Sequence, residues 1–363
     1  MQATPSSLGF SIESQKAAAE KTPSTLGFSM PAEWDLHRAT WMAWPKNPET
    51  FPQAIIRRVE DAYCRMIGAL SDGENVKLLV DSEQEEQRVE RLLSAAGAYN
   101  SSVLFTKIRS SDVWMRDYGL TFLLNGKTGK KAAVKWRFNA WGNKYDDLAQ
   151  DDFAGEKIAK ELEGHGTAIF RPNIVMEGGS VDVNGRGALI TTEQCLLSRN
   201  RNPSLSKLQI EQYLCDYLGA ERIIWLKEGI EGDDTDGHVD DFARFVGKDT
   251  VVCARERDNS DRNCAALEKN RLLLNESGFE VADLPMPSPI TDPEENRRLP
   301  ASYANFYIAN KCVLLPAFGD KKDKEAADIM HSFFPGREIV PIMANELVYG
   351  YGGIHCVTQQ EPK

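Results

Sequence analysis

Between Met30 and Lys363 the apolar positions switch repeatedly between two spacings. A period near that of a helix predicts helices over 52–71, 82–97, 149–163, 204–218, 264–278 and 322–334, with Ser82 and Ser204 placed as N-caps. Short apolar runs between them predict strands at 76–80, 103–108, 120–124, 133–138, 223–226, 242–246, 250–254 and 339–342. Two stretches read as hairpins: 180–190, with an Asn184-Gly185 turn, and 308–315. The recurring unit is two paired strands, a helix and a further strand, and it appears about five times. No Pro/Ser-rich linker or composition break interrupts 30–363. A length of 363 residues suggests two or three domains on a simple prior, but the pattern favours one closed array of similar units.

Residues 1–29 do not share this pattern. They form a polar tail in which Thr4-Pro-Ser-Ser-Leu-Gly-Phe-Ser-Ile12 returns as Thr22-Pro-Ser-Thr-Leu-Gly-Phe-Ser-Met30, seven of nine positions identical. A duplicated tail is the plain reading and a functional repeat the alternative. Apolar residues are 42% and charged residues 27%, which is a globular composition. No apolar run approaches the roughly 18 residues that cross a bilayer, and no secretory signal is read at the N-terminus. The net charge of −11 disfavours nucleic acid and anionic membrane as partners and permits a cationic ligand. Seven cysteines without a C-x-x-C pair argue against a disulfide framework or a zinc ribbon and fit a reducing cytoplasm. A homo-oligomer stays open.

Four segments put ionisable or reactive groups beside glycine or aromatic residues: 113–119, 176–180, 234–241 and 350–356. Their central residues, Asp117, Glu177, His238 and Cys356, are separated by 60, 61 and 118 positions, which is one functional residue per unit with one unit skipped. Were Gly237 to open a strand, His238 and Asp240 at i and i+2 would share a face. A solvated acidic loop is the alternative there, and the apolar run from Phe242 argues against it. Asp117 after Arg116 has the plain reading of a neighbouring ion pair, and Glu177 that of a turn before two glycines, which allow close backbone approach or positive φ. A free cysteine is usually buried and inert, but the glycines before Cys356 leave room at its sulfur. His355 would point away on a strand, so His238 is the better base for Cys356. With no H-E-x-x-H, EF-hand, G-x-G-x-x-G or P-loop pattern, the sequence offers no metal site and no nucleotide site.

Taken together the chain resembles the agmatine deiminase family, the bacterial-type peptidylarginine deiminase group of the guanidine-modifying superfamily. The resemblance runs over Met30-Pro-Ala-Glu-Trp34, Thr40-Trp-Met-Ala-Trp-Pro45, Trp114-Met-Arg-Asp117, Phe138-Asn-Ala-Trp-Gly142, Glu177-Gly-Gly-Ser180, Arg199-Asn-Arg-Asn-Pro203, Asp236-Gly-His-Val-Asp240, Asn305-Phe-Tyr-Ile-Ala-Asn310 and Ile354-His-Cys-Val-Thr-Gln-Gln360. It implies an α/β-propeller (pentein), five ββαβ units around a pseudo-fivefold axis, formed by a single domain over 30–363. It further implies Cys356 as nucleophile, His238 as general acid/base and Glu177 as its orienting carboxylate. Asp117 and Asp240 would grip a guanidinium, with Trp114 lining the pocket.

The implied reaction hydrolyses agmatine to N-carbamoylputrescine and ammonia, on the route to putrescine, with no metal or organic cofactor. Peptidyl- or free-arginine deimination to citrulline is the alternative within the chemistry. Amidinotransfer and a non-catalytic binding propeller are alternatives of other classes. Two carboxylates near Cys356 disfavour a thiolate in the empty site, so the thiolate is expected with substrate bound or paired with protonated His238. Tyr118, Leu120, Tyr351 and Gly353 stand where the family's commonest pattern has a Thr, a Pro, a Gly and an Asn. No residue reads as an α-carboxylate-binding arginine, although Arg199 and Arg201 stay open.

Overall fold

Parallel strands need a crossover, and in this chain a helix supplies one after almost every hairpin. The computed structural model describes residues 21–292 and 294–363, whose strands form five sheets. Thr121–Asn125 pairs antiparallel with Lys131–Val134, which pairs parallel with Ala168–Phe170 after the helix Asp151–Gly164. The same order recurs in Val181–Val183, Ala188–Thr192 and Arg222–Leu226 around the helix Lys207–Leu218. It recurs again in Ala243–Phe245, Thr250–Arg255 and Glu280–Pro285 around Asn263–Glu276. A further copy is Tyr307–Ile308, Cys312–Ala317 and Glu338–Met343 around Asp323–Phe333. In the remaining sheet Gln359–Pro362 lies antiparallel to His37–Ala43, so the end of the chain supplies the first strand of the unit that the beginning completes. His37–Ala43 then pairs parallel with Asn75–Val80 across the helix Ile56–Ser71, and Val103–Lys107 extends this sheet.

Burial explains why these runs form strands. Every residue of Ala188–Thr192 and of Cys312–Ala317 is buried, as expected for strands covered on both faces. The helix Ile56–Ser71 turns Val59, Tyr63, Met66, Ile67 and Leu70 to the core, the three- and four-residue spacing of one helical face. Among the described residues no helix is long and apolar enough to cross a membrane.

Several local expectations change. Ser206, not Ser204, caps the helix Lys207–Leu218, through a capping box with Gln209 that Ser204 lies too far away to make. The strand expected over 133–138 stops at Val134; beyond it Asp152 Oδ1 accepts the Phe138 N–H at 2.8 Å and the chain turns toward the site. His37–Ala43 and Gln359–Pro362 escaped the sequence pattern, the first because it is buried almost throughout and lacks alternation, the second because it is polar. Of the two copies of the N-terminal repeat, residues 4–12 lie outside the described residues. In the second copy Phe28–Ser29 pairs antiparallel with Asn125 and Leu124, and Asn125 Nδ2 donates to Leu26 O at 2.8 Å.

The polar closing strand is held by charge. Glu361 is 2% exposed, accepts from Trp41 Nε1 at 2.9 Å and pairs with Lys77 at 2.8 Å and with Lys131. Burial alone would raise the Glu361 carboxyl, but Lys77 and Lys131 hold it below the usual range. A depressed carboxyl stabilises the fold above its unfolded value and loses that contribution as pH falls through its folded value. Glu361→Gln is therefore expected to cost about 2 kcal/mol at pH 7, read by urea unfolding. The gap to the unsubstituted protein should close as the pH is lowered below about 4; a gap independent of pH would refute the charge assignment.

Candidate active site

The residues that converge come from turns at the ends of strands, where the chain leaves one sheet for the next. Asp117 sits in the helical turn Met115–Tyr118, whose first residue follows Trp114. Its Oδ2 accepts from Trp141 Nε1 at 2.9 Å and its Oδ1 from the Gly179 N–H at 3.1 Å. Glu177 precedes the 3-10 turn Gly178–Ser180, and its Oε1 accepts from Arg201 Nε at 2.7 Å. The two glycines are needed for approach, and neither has positive φ. A Cβ on Gly178 would lie 2.2 Å from Arg116 O, and one on Gly179 would lie 2.5 Å from His238 Nδ1 and 3.0 Å from Asp240 Oδ2.

His238 and Asp240 do share one space, but not through a strand. Gly237 takes φ 88°, which turns the chain into the 3-10 turn Val239–Asp241, and the strand starts only at Ala243. His238 Nδ1 lies 3.8 Å from Asp117 Oδ1 and 4.0 Å from Asp240 Oδ1, and its Nε2 lies 3.9 Å from Glu177 Oε2. Neither ring nitrogen of His238 has a hydrogen-bond partner, nor has Glu177 Oε2 or Asp240 Oδ1. Buried polar atoms left open call for an explanation, and these four gather in one place.

Cys356 is 5% exposed and forms part of the wall of a cavity of about 210 Å³. Trp114, Asp117, Trp141, Tyr145 and Gly352 line the same cavity. A Cβ on Gly352 would lie 2.2 Å from the Trp114 ring, so this glycine seats the indole. Six acids border the cavity, Glu49, Asp117, Asp147, Asp234, Asp292 and Glu295, and among its described lining residues there is no Lys or Arg. Tyr351, at the position of a family glycine, holds φ 66° and borders the cavity; Arg297 stacks on its ring at 4.4 Å.

The electrostatics follow from burial. Burial pushes the Cys356 thiol up, and Asp240, Asp241 and Asp117 push it further. Burial works against a charge on His238, but Asp117, Cys195 and Glu177 outweigh it and hold the imidazole well above its ordinary range. Burial also raises Asp117; His238 opposes this, while Asp240 and Glu177 add to it. Asp240 is held low despite its burial, chiefly by His355, with His238 helping.

Sequence reasoning left several members of this cluster without a role. His355 faces away from the cavity, with Nδ1 2.6 Å from Asp240 Oδ2 and Nε2 2.7 Å from Glu33 Oε2. Glu33 also accepts from Arg244 Nη2 at 2.8 Å. Arg201 is committed to Glu177, to Asp236 at 2.6 Å and to Thr235 O at 2.8 Å, so it is not free to bind a carboxylate. Arg199 is exposed and lies outside the cavity lining. Buried Cys195 stands with Glu177 and His238, and Asp241 with Asp240 and Cys356; each trio keeps its donor atoms within 4.8 Å, the spacing that could admit a metal ion. Quoted segments contain Glu33, Arg199, Arg201, Asp241 and His355, whereas Cys195 and Arg244 stand in none of them.

Comparison with known proteins gives a consistent picture. The model of the Porphyromonas-type peptidyl-arginine deiminase family matches residues 29–362. An agmatine deiminase of Pseudomonas aeruginosa is 37% identical over 360 residues, covering 92% of this chain and 95% of that one. The solved agmatine deiminase of Enterococcus faecalis superposes with a TM-score of 0.86 at 35% identity, covering 95% of this chain and 98% of the other. An agmatine deiminase of C. jejuni solved with substrate bound gives a TM-score of 0.83 at 30% identity, over 93% and 96% of the two chains. A dimethylarginine dimethylaminohydrolase shares the mixed α/β fold at 11% identity, with a TM-score of 0.52 over 90% of this chain and all of its own.

The His238 imidazole is expected to titrate above the ordinary histidine value of about 6.5. Glu177→Gln removes one of the negative charges responsible and should lower that value. Imidazole NMR signals followed through pH provide the measurement; an unchanged titration would show that Glu177 does not hold the charge.

Proposed function

The chain belongs to the Porphyromonas-type peptidyl-arginine deiminase family, and we propose that its six-acid cavity selects agmatine among guanidines. The enzyme is a hydrolase acting on the guanidino group, and its reaction yields N-carbamoylputrescine and ammonia. The lining carries the argument: agmatine is cationic at both ends, and a cavity bordered by Glu49, Asp117, Asp147, Asp234, Asp292 and Glu295, of which Asp234 is paired with Arg297 from outside the lining, suits two positive charges. Free arginine would bring an α-carboxylate among these acids, and Arg201 is already committed to Glu177 and Asp236.

We assign the steps as follows. The guanidinium enters between Asp117 and Asp240, whose Oδ1 is open, and its charge offsets the acids that otherwise keep Cys356 protonated. The thiol gives its proton to solvent water as the cation arrives, and the sulfur attacks the guanidinium carbon. His238, held charged in the empty site, gives its proton to the departing nitrogen. The C–N bond breaks, ammonia leaves, and an amidino group remains on sulfur as a thiouronium. His238, now neutral, takes a proton from water, whose oxygen attacks the same carbon. The C–S bond then breaks as the hydroxyl proton passes to the departing sulfur, which releases the ureido product and restores the thiol. Glu177, anchored by Arg201, orients His238 through its free Oε2. Trp114 walls the substrate chain. The raised thiol supports the substrate-assisted route over a resting pair of Cys356 thiolate and imidazolium, since Asp117, Cys195 and Glu177 are what stabilise the His238 charge.

The five sheets, each with an antiparallel pair followed by a parallel strand, support reading the chain as a five-unit propeller over 30–363 with this site at its centre. Seven free cysteines support a reducing, cytoplasmic setting.

Ammonia release from agmatine, arginine and a blocked peptidyl arginine tests the substrate. Agmatine is expected to lead arginine in kcat/KM by at least about 100-fold, because an α-carboxylate left unpaired in the cavity costs several kcal/mol. Preference for arginine or the peptide would refute the assignment. Cys356→Ala should abolish release from all three.

A further inference from the structure

We propose that Asn305 is a catalytic residue of this site, its side-chain amide holding the Cys356 sulfur as the thiolate forms. The inference rests on the reading of Cys356 as nucleophile. Asn305 lies just before the strand Tyr307–Ile308 and is 2% exposed. Its Oδ1 accepts the backbone N–H of His355 at 2.8 Å, a donor whose direction the chain fixes. The other end of the amide must therefore face inward, and Nδ2 lies 2.9 Å from Asp241 Oδ1 and 3.3 Å from Cys356 Sγ. Two of its contacts lock the plane of the amide against groups that do not react, and Nδ2 donates to the reacting sulfur, which also lies 3.6 Å from Asn305 Oδ1.

The chemistry of the pocket restricts what could stand here. The charged groups around the sulfur are the carboxylates of Asp117, Asp240 and Asp241 and the His238 imidazole of the same cluster. Against the acids the Gly353 backbone favours the thiolate by a hydrogen bond. A lysine or arginine at 305 would compete with the substrate guanidinium for Asp117 and Asp240. A further carboxylate would add to the charge that opposes thiolate formation. A neutral amide donates without either fault. Burial first and Asp240 second push Asp241 up, and its Oδ1 takes one of the two N–H donors of the amide, which leaves the other for the sulfur. The absence of a side chain at Gly353 gives the amide its space, since a Cβ there would lie 2.3 Å from Asn305 Oδ1.

Cys356 alkylation by iodoacetamide, a neutral reagent, tests this without turnover. The rate is followed by mass spectrometry of the Cys356 peptide between pH 7 and 10, and the other six cysteines serve as internal controls. Asn305→Asp keeps the shape and the oxygen that faces His355, replaces the donor with an acceptor and adds a negative charge. It is expected to slow Cys356 alkylation at least about tenfold across this range, the size of one lost hydrogen bond to a charged group. kcat/KM for agmatine should fall by a similar or larger factor. Asn305→Leu should slow alkylation less than Asn305→Asp, because it removes the donor without adding charge. Unchanged alkylation in either folded variant overturns the proposal. That failure is separate from failure of the nucleophile assignment, which Cys356→Ala judges alone.

Discussion

The arrangement depends on one imidazole held between two buried acids. His355 joins Asp240 on one side to Glu33 on the other, and Glu33 continues to Arg244. A carboxylate removed from water without partners costs several kcal/mol, so Asp240 can stay ionised at 0% exposure chiefly because His355 faces it, with His238 and Arg244 helping. His355 consumes one Asp240 oxygen and leaves the other free, which fixes the direction in which the carboxylate can still bind. The same chain ties the Met30–Trp34 segment to the residue next to Cys356. The two neighbours divide their work: the Cys356 sulfur faces the cavity, and the His355 ring faces the scaffold.

A second constraint is steric. The charged groups crowd so closely that side chains at 178, 179 and 352 would collide with Arg116 O, His238 and Trp114. Glycine here removes volume in places where the backbone has no need of positive φ.

Much of this was legible in the chain. Helical periodicity located the crossover helices, and the even spacing of Asp117, Glu177, His238 and Cys356 anticipated that residues far apart in sequence would meet. Other features carry no periodic signature. Gln359–Pro362 looks like a polar tail because its stabilising partners, Trp41, Lys77 and Lys131, come from three other strands. His238 and Asp240 meet through a turn set by Gly237, which an i, i+2 strand argument reproduces for the wrong reason. Glu33, Arg201 and Asn305 matter through partners that sequence distance hides: 322 residues separate Glu33 from His355. Arg201 looked available for a ligand, and only its buried contacts with Glu177 and Asp236 show that it is committed.

The open atoms around His238 bear on how this molecule behaves in a common denaturant. Asp240 Oδ1 and Glu177 Oε2 lack partners in a buried, acid-rich space beside Asp117. The guanidinium ion is the smallest cation that presents N–H groups in the plane these carboxylates expect. Anything that binds the native state and not the unfolded chain raises apparent stability by mass action. On the site assignment proposed above, guanidinium chloride would act as a ligand at low concentration and as a denaturant at high concentration. An unfolding curve taken in it combines the two effects, and a linear extrapolation would assign the binding free energy to folding. Urea, neutral and without a charge for the acids to hold, reports the fold alone.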